Sequence, residues 1–144
     1  MLPEHFKIHF INRLGVDMDL SSNSSNETIK VWVQRWKITS AGVVQYDTRD
    51  SLTYSAGDIA DGGSAEFAEI DNGGSELWHG AHCQVEVKTD DSGADGSVVV
   101  MWEWSTDGSD YPSDASNFSA ERDLEPLKQV IIGGAHTRQR NFEL

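Results

Sequence analysis

Two histidines three positions apart are the first residues whose types could bind a metal. His79 and His82 flank a Gly-Ala pair, and imidazole nitrogens are common zinc ligands. The helical zinc-enzyme motif built on two histidines also needs a glutamate between them, and none is present. The other three histidines lie far away in the sequence, at positions 5, 9 and 136. We therefore expect His79 and His82 to have a structural role, with no metal and no cofactor bound.

Two acidic segments carry the oxygen ligands that calcium prefers. They contain six aspartates: Asp90, Asp91, Asp95, Asp107, Asp110 and Asp114. The run that begins at Asp91 resembles the start of a calcium-binding loop, but Trp102 stands at the twelfth position, where such a loop has a glutamate. Aspartate is also favoured in tight turns, because its carboxylate accepts hydrogen bonds from nearby backbone N–H groups. Turn formation is the role that we predict for both segments.

Five tryptophans are present in 144 residues, and two of them could form a platform for sugar rings. Trp102 and Trp104 are two positions apart, so in a strand they project from the same face. Exposed, the pair would stack against a sugar. Val98 and Val100 share that face, which favours a buried layer of rings between two sheets instead. Trp78, in a glycine-rich segment, is expected to be a more exposed contact residue.

The usual sequence signatures of covalent catalysis are missing. Cys83 lies in an alternating apolar segment without an obvious base, where we expect a small core residue. No serine stands in a Gly-X-Ser-X-Gly motif, and no glycine-rich phosphate-binding loop is present. A carboxylate pair for glycoside hydrolysis stays open in a chain with 24 acidic residues, but a chain of this length without long loops offers little scaffold for a deep cleft. We predict that the protein is not an enzyme.

The elements that must position these residues are short strands separated by turns. The clearest strand begins at Gly96 and ends at the turn pair Asp107-Gly108. Similar alternation recurs in residues 6–11, 29–38, 43–46, 52–55, 82–89, 129–132 and 137–144. Residues 65–70 fit either a strand or a helical turn, residues 119–125 predict one helical turn, and residues 20–26 predict an exposed loop. Residues 1–144 thus predict a single all-β domain: an antiparallel β-sandwich, jelly-roll or Ig-like, with eight or nine strands and at most short helical turns.

The net charge of −13 is unevenly distributed. From Asp47 to Glu125 there are nineteen acidic and three basic residues, whereas the rest of the chain has five acidic and eight basic residues. The acidic centre disfavours nucleic acid, because phosphate neutralisation supplies most of that affinity. No apolar stretch is long enough to span a bilayer, and the first residues do not form a signal peptide. We predict neither nucleic-acid nor membrane partners. The basic residues near the two ends of the chain form either a docking face for an acidic partner or ordinary solvated charge.

The second half of the chain, about residues 71–144, resembles small β-sandwich proteins encoded among the structural genes of tailed bacteriophages. Four segments carry the resemblance: residues 72–80 (NGGSELWHG), the strand 83–88, residues 98–113 (VVVMWEWSTDGSDYPS) and residues 138–144 (RQRNFEL). In the phage pattern a long strand ends in a Ser-X-Asp-Gly turn, which is followed by a Trp-Pro or Tyr-Pro step. The first half of the chain carries no such resemblance.

The resemblance implies a non-enzymatic virion component: a capsid decoration or cement protein, or a small tail-associated or fibre-associated module. Such a protein is made in the host cytoplasm and assembled there into the virion. Its partners would be the major capsid protein or other virion proteins, in a homo-oligomer or another many-copy assembly. The expected contact residues are Trp78, Tyr111, Arg138 and Arg140.

Two other functions stay open from the sequence. The main alternative is a carbohydrate-binding or host-receptor-binding module on a phage tail or fibre, with Trp102 and Trp104, or Trp78, as its platform. A third possibility, a metal-dependent cupin-like enzyme, requires His79 and His82 to converge with a carboxylate inside a barrel. The position of these side chains in the fold discriminates between the three functions.

Overall fold

A computed structural model describes residues 2–20, 27–54, 57–73, 77–116 and 118–144, and it contains two antiparallel sheets. Ten strands lie within these described residues: β1 (His5–Arg13), β2 (Thr28–Ile38), β3 (Val44–Tyr46), β4 (Asp50–Tyr54), β5 (Ser64–Glu66), β6 (Ile70–Asp71), β7 (Gly80–Lys88), β8 (Asp95–Ser105), β9 (Glu125–Gly133) and β10 (Thr137–Glu143). The helical elements are a 3-10 turn (Pro112–Asp114) and α1 (Ala120–Asp123). The predicted all-β antiparallel sandwich is confirmed, with ten strands rather than eight or nine.

Each sheet has five strands. Sheet 1 has the order β5-β1-β8-β9, and β6 also pairs with β1. Sheet 2 has the order β10-β7-β2-β3, and β4 also pairs with β2. The central strands β1, β8, β2 and β7 have nine to eleven residues each. They are the strands whose alternating sequence was clearest, because a long strand with one buried face repeats its pattern most often.

The core lies between the two sheets and is built from alternate residues of the central strands. The fully or almost fully buried side chains from these strands include Phe6, Ile8, Phe10, Ile29, Val31, Val33, Ala81, Cys83, Val85, Val87, Val98 and Val100. Removing a large apolar side chain from water contributes about 1.5–3 kcal/mol to folding. The predicted core position of Cys83 is confirmed, since only 3% of the residue is exposed.

The outer face of sheet 1 is covered by the segment that contains the 3-10 turn and α1. Ile11 of β1 and Met101 of β8 point to this face and are buried against Ala120 and Leu124. The central strands of sheet 1 are therefore buried on both sides, and the mixed outer face of β8 is not a solvent face. The helical turn predicted for residues 119–125 is confirmed as α1.

Three segments differ from the sequence-based expectation. Residues 65–70, left undecided, supply parts of the short strands β5 and β6, which pair with different parts of β1. Strand β9 begins at Glu125 and contains Pro126, which a strand at the edge of a sheet tolerates. Its register shifts opposite Val100 and Met101, so that Leu127 forms a β-bulge. Leu20, expected in an exposed loop, is buried; residues 21–26 of that loop lie outside the described residues.

Neither helical element in the described part of the chain has the length and apolar character needed to cross a lipid bilayer.

Candidate functional site

The outer face of sheet 2 forms a shallow depression of about 520 Å³. Because alternate residues of a strand face opposite sides, the strands that bury valines inward present polar and aromatic side chains outward. The residues that line the depression are Trp32, Gln34, Arg49, His82, Cys83, Gln84, Asn141, Phe142 and Glu143. We call this surface the sheet 2 depression.

The pairing of three strands places Trp32, Gln84 and Asn141 in one row. Trp32 of β2 lies opposite Gln84 of β7, and Gln84 lies opposite Asn141 of β10. Gln84 accepts a hydrogen bond of 2.8 Å from Arg49 Nη2 through its Oε1, and it donates through Nε2 to Asn141 Oδ1 at 3.1 Å. The Arg49 guanidinium carbon lies 5.1 Å from the centre of the Trp32 ring. The side chains are therefore held by one another in fixed orientations.

A second group of rings continues the same face beside the depression. Trp36 lies against Gly80, where an added Cβ would come within 2.7 Å of the indole ring. The planes of Trp36 and His82 are 29° apart, with ring centres 6.5 Å apart. Tyr46 is tilted by 31° from His82 at 5.9 Å. Trp36, His82 and Tyr46 thus form a group of rings on the outer face of sheet 2. Of the three, only His82 was considered as a binding residue from the sequence.

The two histidines of the pair have different partners. His79 Nδ1 accepts a hydrogen bond from the backbone N–H of Ile38, whereas His82 Nδ1 lies 3.2 Å from a Glu143 oxygen. The Trp36 ring contacts both imidazoles. Among the described residues, the two histidines are not part of any three-residue group with metal-ligand spacing. The convergence that a cupin-like metal site requires is not present in this geometry.

A different histidine has a buried carboxyl partner on the outer face of sheet 1. His9 Nε2 donates to Glu103 Oε1 at 2.6 Å, and Ser113 donates to the same carboxyl group through its backbone N–H at 2.9 Å and its hydroxyl at 2.6 Å. His9 Nε2, Glu103 and the exposed Glu66 lie within 4.8 Å of one another, a spacing that could admit a divalent cation. In this structure His9 and Glu103 are hydrogen-bonded directly to each other. Because Glu103 also binds Ser113, the pair links the covering segment to sheet 1. No local sequence pattern predicts this pair, because only strand pairing and the chain reversal at Ser113 bring its members together.

Two predicted contact residues are less accessible than expected. Trp78 is half-buried, and the Nζ of Lys37 lies 4.8 Å from its ring centre. Tyr111 is only 6% exposed and lies under Lys7, whose Nζ is 4.1 Å from the ring centre. Burial raises the pKa of the Tyr111 hydroxyl above its usual range, and the Glu69 carboxyl group adds to the shift. Trp78 is therefore partly rather than fully exposed, and Tyr111 is buried. Whether either residue contacts a partner stays a prediction.

The two tryptophans of β8 have different environments. Trp102 is half-buried, packs edge-to-face on Phe6 at 6.4 Å and points its indole nitrogen towards Glu125. Trp104, two residues later, is 53% exposed. The expected buried ring layer therefore ends at Trp102, and the two rings do not form a platform with equal exposure.

The predicted contact residues Arg138 and Arg140 are both exposed on β10. They lie opposite Val87 and Val85 of β7, near the edge of sheet 2. Their guanidinium groups are therefore accessible to an acidic partner. Whether a partner uses them stays a prediction.

The aspartate segments form turns, as predicted. Asp107 Oδ1 accepts hydrogen bonds from the backbone N–H groups of Ser109 and Asp110 and from the Ser105 hydroxyl. These bonds, the Ser109 bond first, lower the pKa of Asp107. Asp91 accepts the N–H of Gly93 in the same way. Gly108 has a φ of +71°, which agrees with the predicted Asp-Gly turn.

The hairpin between β2 and β3 exposes apolar side chains. Residues 38–46 contain no charged residue, and we call this segment the apolar hairpin. Its four large exposed side chains are Ile38 (49%), Val43 (60%), Val44 (50%) and Tyr46 (53%). Ile38 and Val44 lie directly opposite each other. Because β3 is at the edge of sheet 2, the apolar patch adjoins backbone groups of a sheet edge.

No protein-family model, curated protein sequence or solved structure matches this chain.

Proposed function

We propose that this chain is a non-enzymatic structural protein of a bacteriophage particle, a capsid decoration or cement protein that contacts neighbouring subunits through the apolar hairpin. The observation that carries the contact is the row of exposed apolar side chains on nine consecutive uncharged residues. In a chain with a net charge of −13, an uncharged apolar segment is the surface with the lowest desolvation cost when a partner covers it. The assignment to a virion rests on the resemblance of residues 71–144.

Two features of the apolar hairpin suit contact with another protein. Burial of Ile38, Val43 and Val44 against a neighbour would remove apolar area from water at about 25 cal/mol per Å². The edge of β3 offers N–H and C=O groups to an added strand. A partner that binds only the assembled shell stabilises that shell by mass action, and many copies act together through their high effective concentration.

Arg138 and Arg140 are the proposed accessory contacts. Both are exposed on β10, and Arg140 Nη1 donates to the neighbouring Gln139 carbonyl. Exposed ion pairs contribute only about 0–1 kcal/mol each, so these arginines would steer the approach of an acidic neighbour more than hold it. The main binding energy is assigned to the apolar hairpin.

The experiment that tests this function is co-sedimentation of the purified protein with empty capsids of the phage that encodes it. We expect the wild-type protein to pellet with the capsids and to raise their melting temperature. Val44→Asp should abolish both effects, because it places a charge in the apolar contact. Ile131→Asp is the matched control, since Ile131 is 65% exposed on β9 of the other sheet and its replacement should leave co-sedimentation unchanged.

Two results would contradict the proposal. One is a wild-type protein that stays in the supernatant at every protein concentration. The other is a folded Val44→Asp variant that pellets as the wild type does. Circular dichroism of both variants separates loss of contact from loss of folding.

A further inference from the structure

We propose that the sheet 2 depression is a binding site for a neutral carbohydrate. The site is formed by Trp32, Gln34, Arg49, Gln84 and Asn141, all of which line the depression. These residues differ from Trp102, Trp104 and Trp78, the tryptophans that the sequence indicated for a sugar platform. This inference does not rest on the proposed virion function, because the residues of the depression are different from those of the apolar hairpin.

The floor of the depression combines flat and polar surfaces. Trp32 is half-buried, and the planar guanidinium of Arg49 lies 5.1 Å from its ring centre. His82 adds a partly exposed imidazole at one end. Ligand sites are mostly apolar or aromatic surfaces with a few well-placed polar groups. A sugar ring has both kinds of partner surface, since its C–H face is apolar and its hydroxyls project from the ring edge.

The polar side chains are oriented, and each keeps a group that its observed bond does not use. Asn141 accepts through Oδ1, and its amide nitrogen is a donor that this bond leaves unused. Gln34 donates through Nε2 to the Asp47 carbonyl, and its Oε1 is an acceptor that this bond leaves unused. Arg49 uses only one of its several N–H donors on Gln84. Neighbouring sugar hydroxyls both donate and accept, so one donor–acceptor set of this kind can hold a pair of them.

The charges of the lining favour a neutral ligand. The depression holds one guanidinium from Arg49, one carboxylate from Glu143, one imidazole and three neutral amides. A polyanion would meet a single cation on a chain with a net charge of −13, which disfavours nucleic acid and acidic polysaccharide. The volume of about 520 Å³ lies within the range of about 300–1,000 Å³ typical of small-ligand sites. A short stretch of a neutral oligosaccharide therefore fits the site in both size and charge.

The experiment uses an array of neutral and acidic glycans, followed by calorimetric titration of the best neutral binder. We expect the wild-type protein to bind at least one neutral glycan. Its affinity should change little between about 50 and 500 mM salt, because salt screens interactions between charges and the ligand has none. Asn141→Ala and Trp32→Ala should each weaken binding by about tenfold. Trp104→Ala is the matched control, since Trp104 is exposed on the other sheet, and it should bind as the wild type does.

Three results overturn the proposal: no neutral glycan bound, binding of acidic glycans only, or unchanged binding by Asn141→Ala. Asn141 is exposed on β10, so this variant should fold even if Trp32→Ala does not. Val44→Asp separates the two proposals. It should leave glycan binding intact, whereas Asn141→Ala should leave capsid co-sedimentation intact.

Discussion

At the residue scale, His9 and Glu103 form a buried ionisable pair whose stability depends on its hydrogen-bond partners. Both residues are only 3% exposed, and a buried ionisable group is stable only when it has hydrogen-bond partners. Glu103 has three such bonds, one from His9 and two from Ser113. The pair therefore connects sheet 1 to the segment that covers its outer face.

Glu103→Ala should be strongly destabilising, because it removes the hydrogen-bond acceptor of Ser113 and of His9, and His9 stays buried without this partner. We expect a loss of about 3–5 kcal/mol in the free energy of unfolding, the usual result of breaking a buried pair. Urea denaturation followed by tryptophan fluorescence measures it. Glu66→Ala is the control: Glu66 is exposed and lies 3.9 Å from His9, so its loss should cost less than about 1 kcal/mol. A Glu103→Ala protein as stable as this control would refute the structural role.

At the element scale, the close approach of β1 and β8 determines the geometry of sheet 1. The two strands pair over nine residues, from His5 opposite Ser105 to Arg13 opposite Ser97. At the Arg13 end the backbone of β1 passes so near Gly96 that an added Cβ would lie 1.9 Å from the Arg13 carbonyl oxygen. Only glycine permits this approach, which gives a physical reason for the residue that starts the clearest predicted strand.

Gly96→Ala should therefore destabilise the protein by about 1–3 kcal/mol, since the added methyl group must push backbone apart. Gly133→Ala is the matched control, because Gly133 lies in β9 with nothing within 4 Å of an added Cβ. We expect the control to change stability by no more than about 0.5 kcal/mol. Thermal denaturation of the two variants side by side measures the difference. Equal melting temperatures would contradict the close approach.

At the scale of the whole molecule, the two sheets use their outer faces differently. The outer face of sheet 1 is covered by the 3-10 turn, Phe118 and α1, whereas sheet 2 leaves its outer face available as a depression. Each sheet contributes its inner face to one shared core. Cys83 lies in that core on the central strand β7, so its thiol reports on opening of the sandwich as a whole.

We expect Cys83 to react with a thiol reagent at pH 8 only when the molecule unfolds. Burial raises the pKa of the thiol to about 12, so the native thiol stays protonated and enclosed. Because the pKa of the thiol is higher in the folded protein than in the unfolded protein, its contribution to stability is complete at a pH below the pKa of the unfolded thiol. That contribution is lost as the pH rises through the pKa of the folded thiol. The labelling rate should therefore rise between about pH 9 and 12 and with urea.

The control for thiol labelling is the double variant Cys83→Ala with Ser51→Cys, because Ser51 is exposed on β4. Its thiol should react at the rate of a small free thiol at every urea concentration. Fast labelling of native wild-type protein at pH 8 would show that the sandwich opens near β7 without unfolding.

The alternation of apolar residues in the sequence was sufficient to determine the sandwich and its inward face, including Cys83, because side-chain direction in a strand is a local property with a period of two. The Asp-Gly turn at Asp107 was predictable because it also depends on neighbouring residues: the aspartate accepts nearby backbone N–H groups, and Gly108 adopts a positive φ. The exposure of Trp78 and Tyr111 was not predictable from the sequence. Lys37 lies over the Trp78 ring and Lys7 over the Tyr111 ring, and each lysine is distant in the sequence from the ring that it covers.

Only the tertiary structure decided which surfaces are available for binding. The row of Trp32, Gln84 and Asn141 comes from three strands whose register no local pattern specifies. The buried pair of His9 and Glu103 depends equally on register and on a segment folded over sheet 1. The sequence by itself therefore determined the class of fold and the core positions. The pairing of distant strands determined the sites, because a site is a set of contacts between residues that the chain brings together only when it folds.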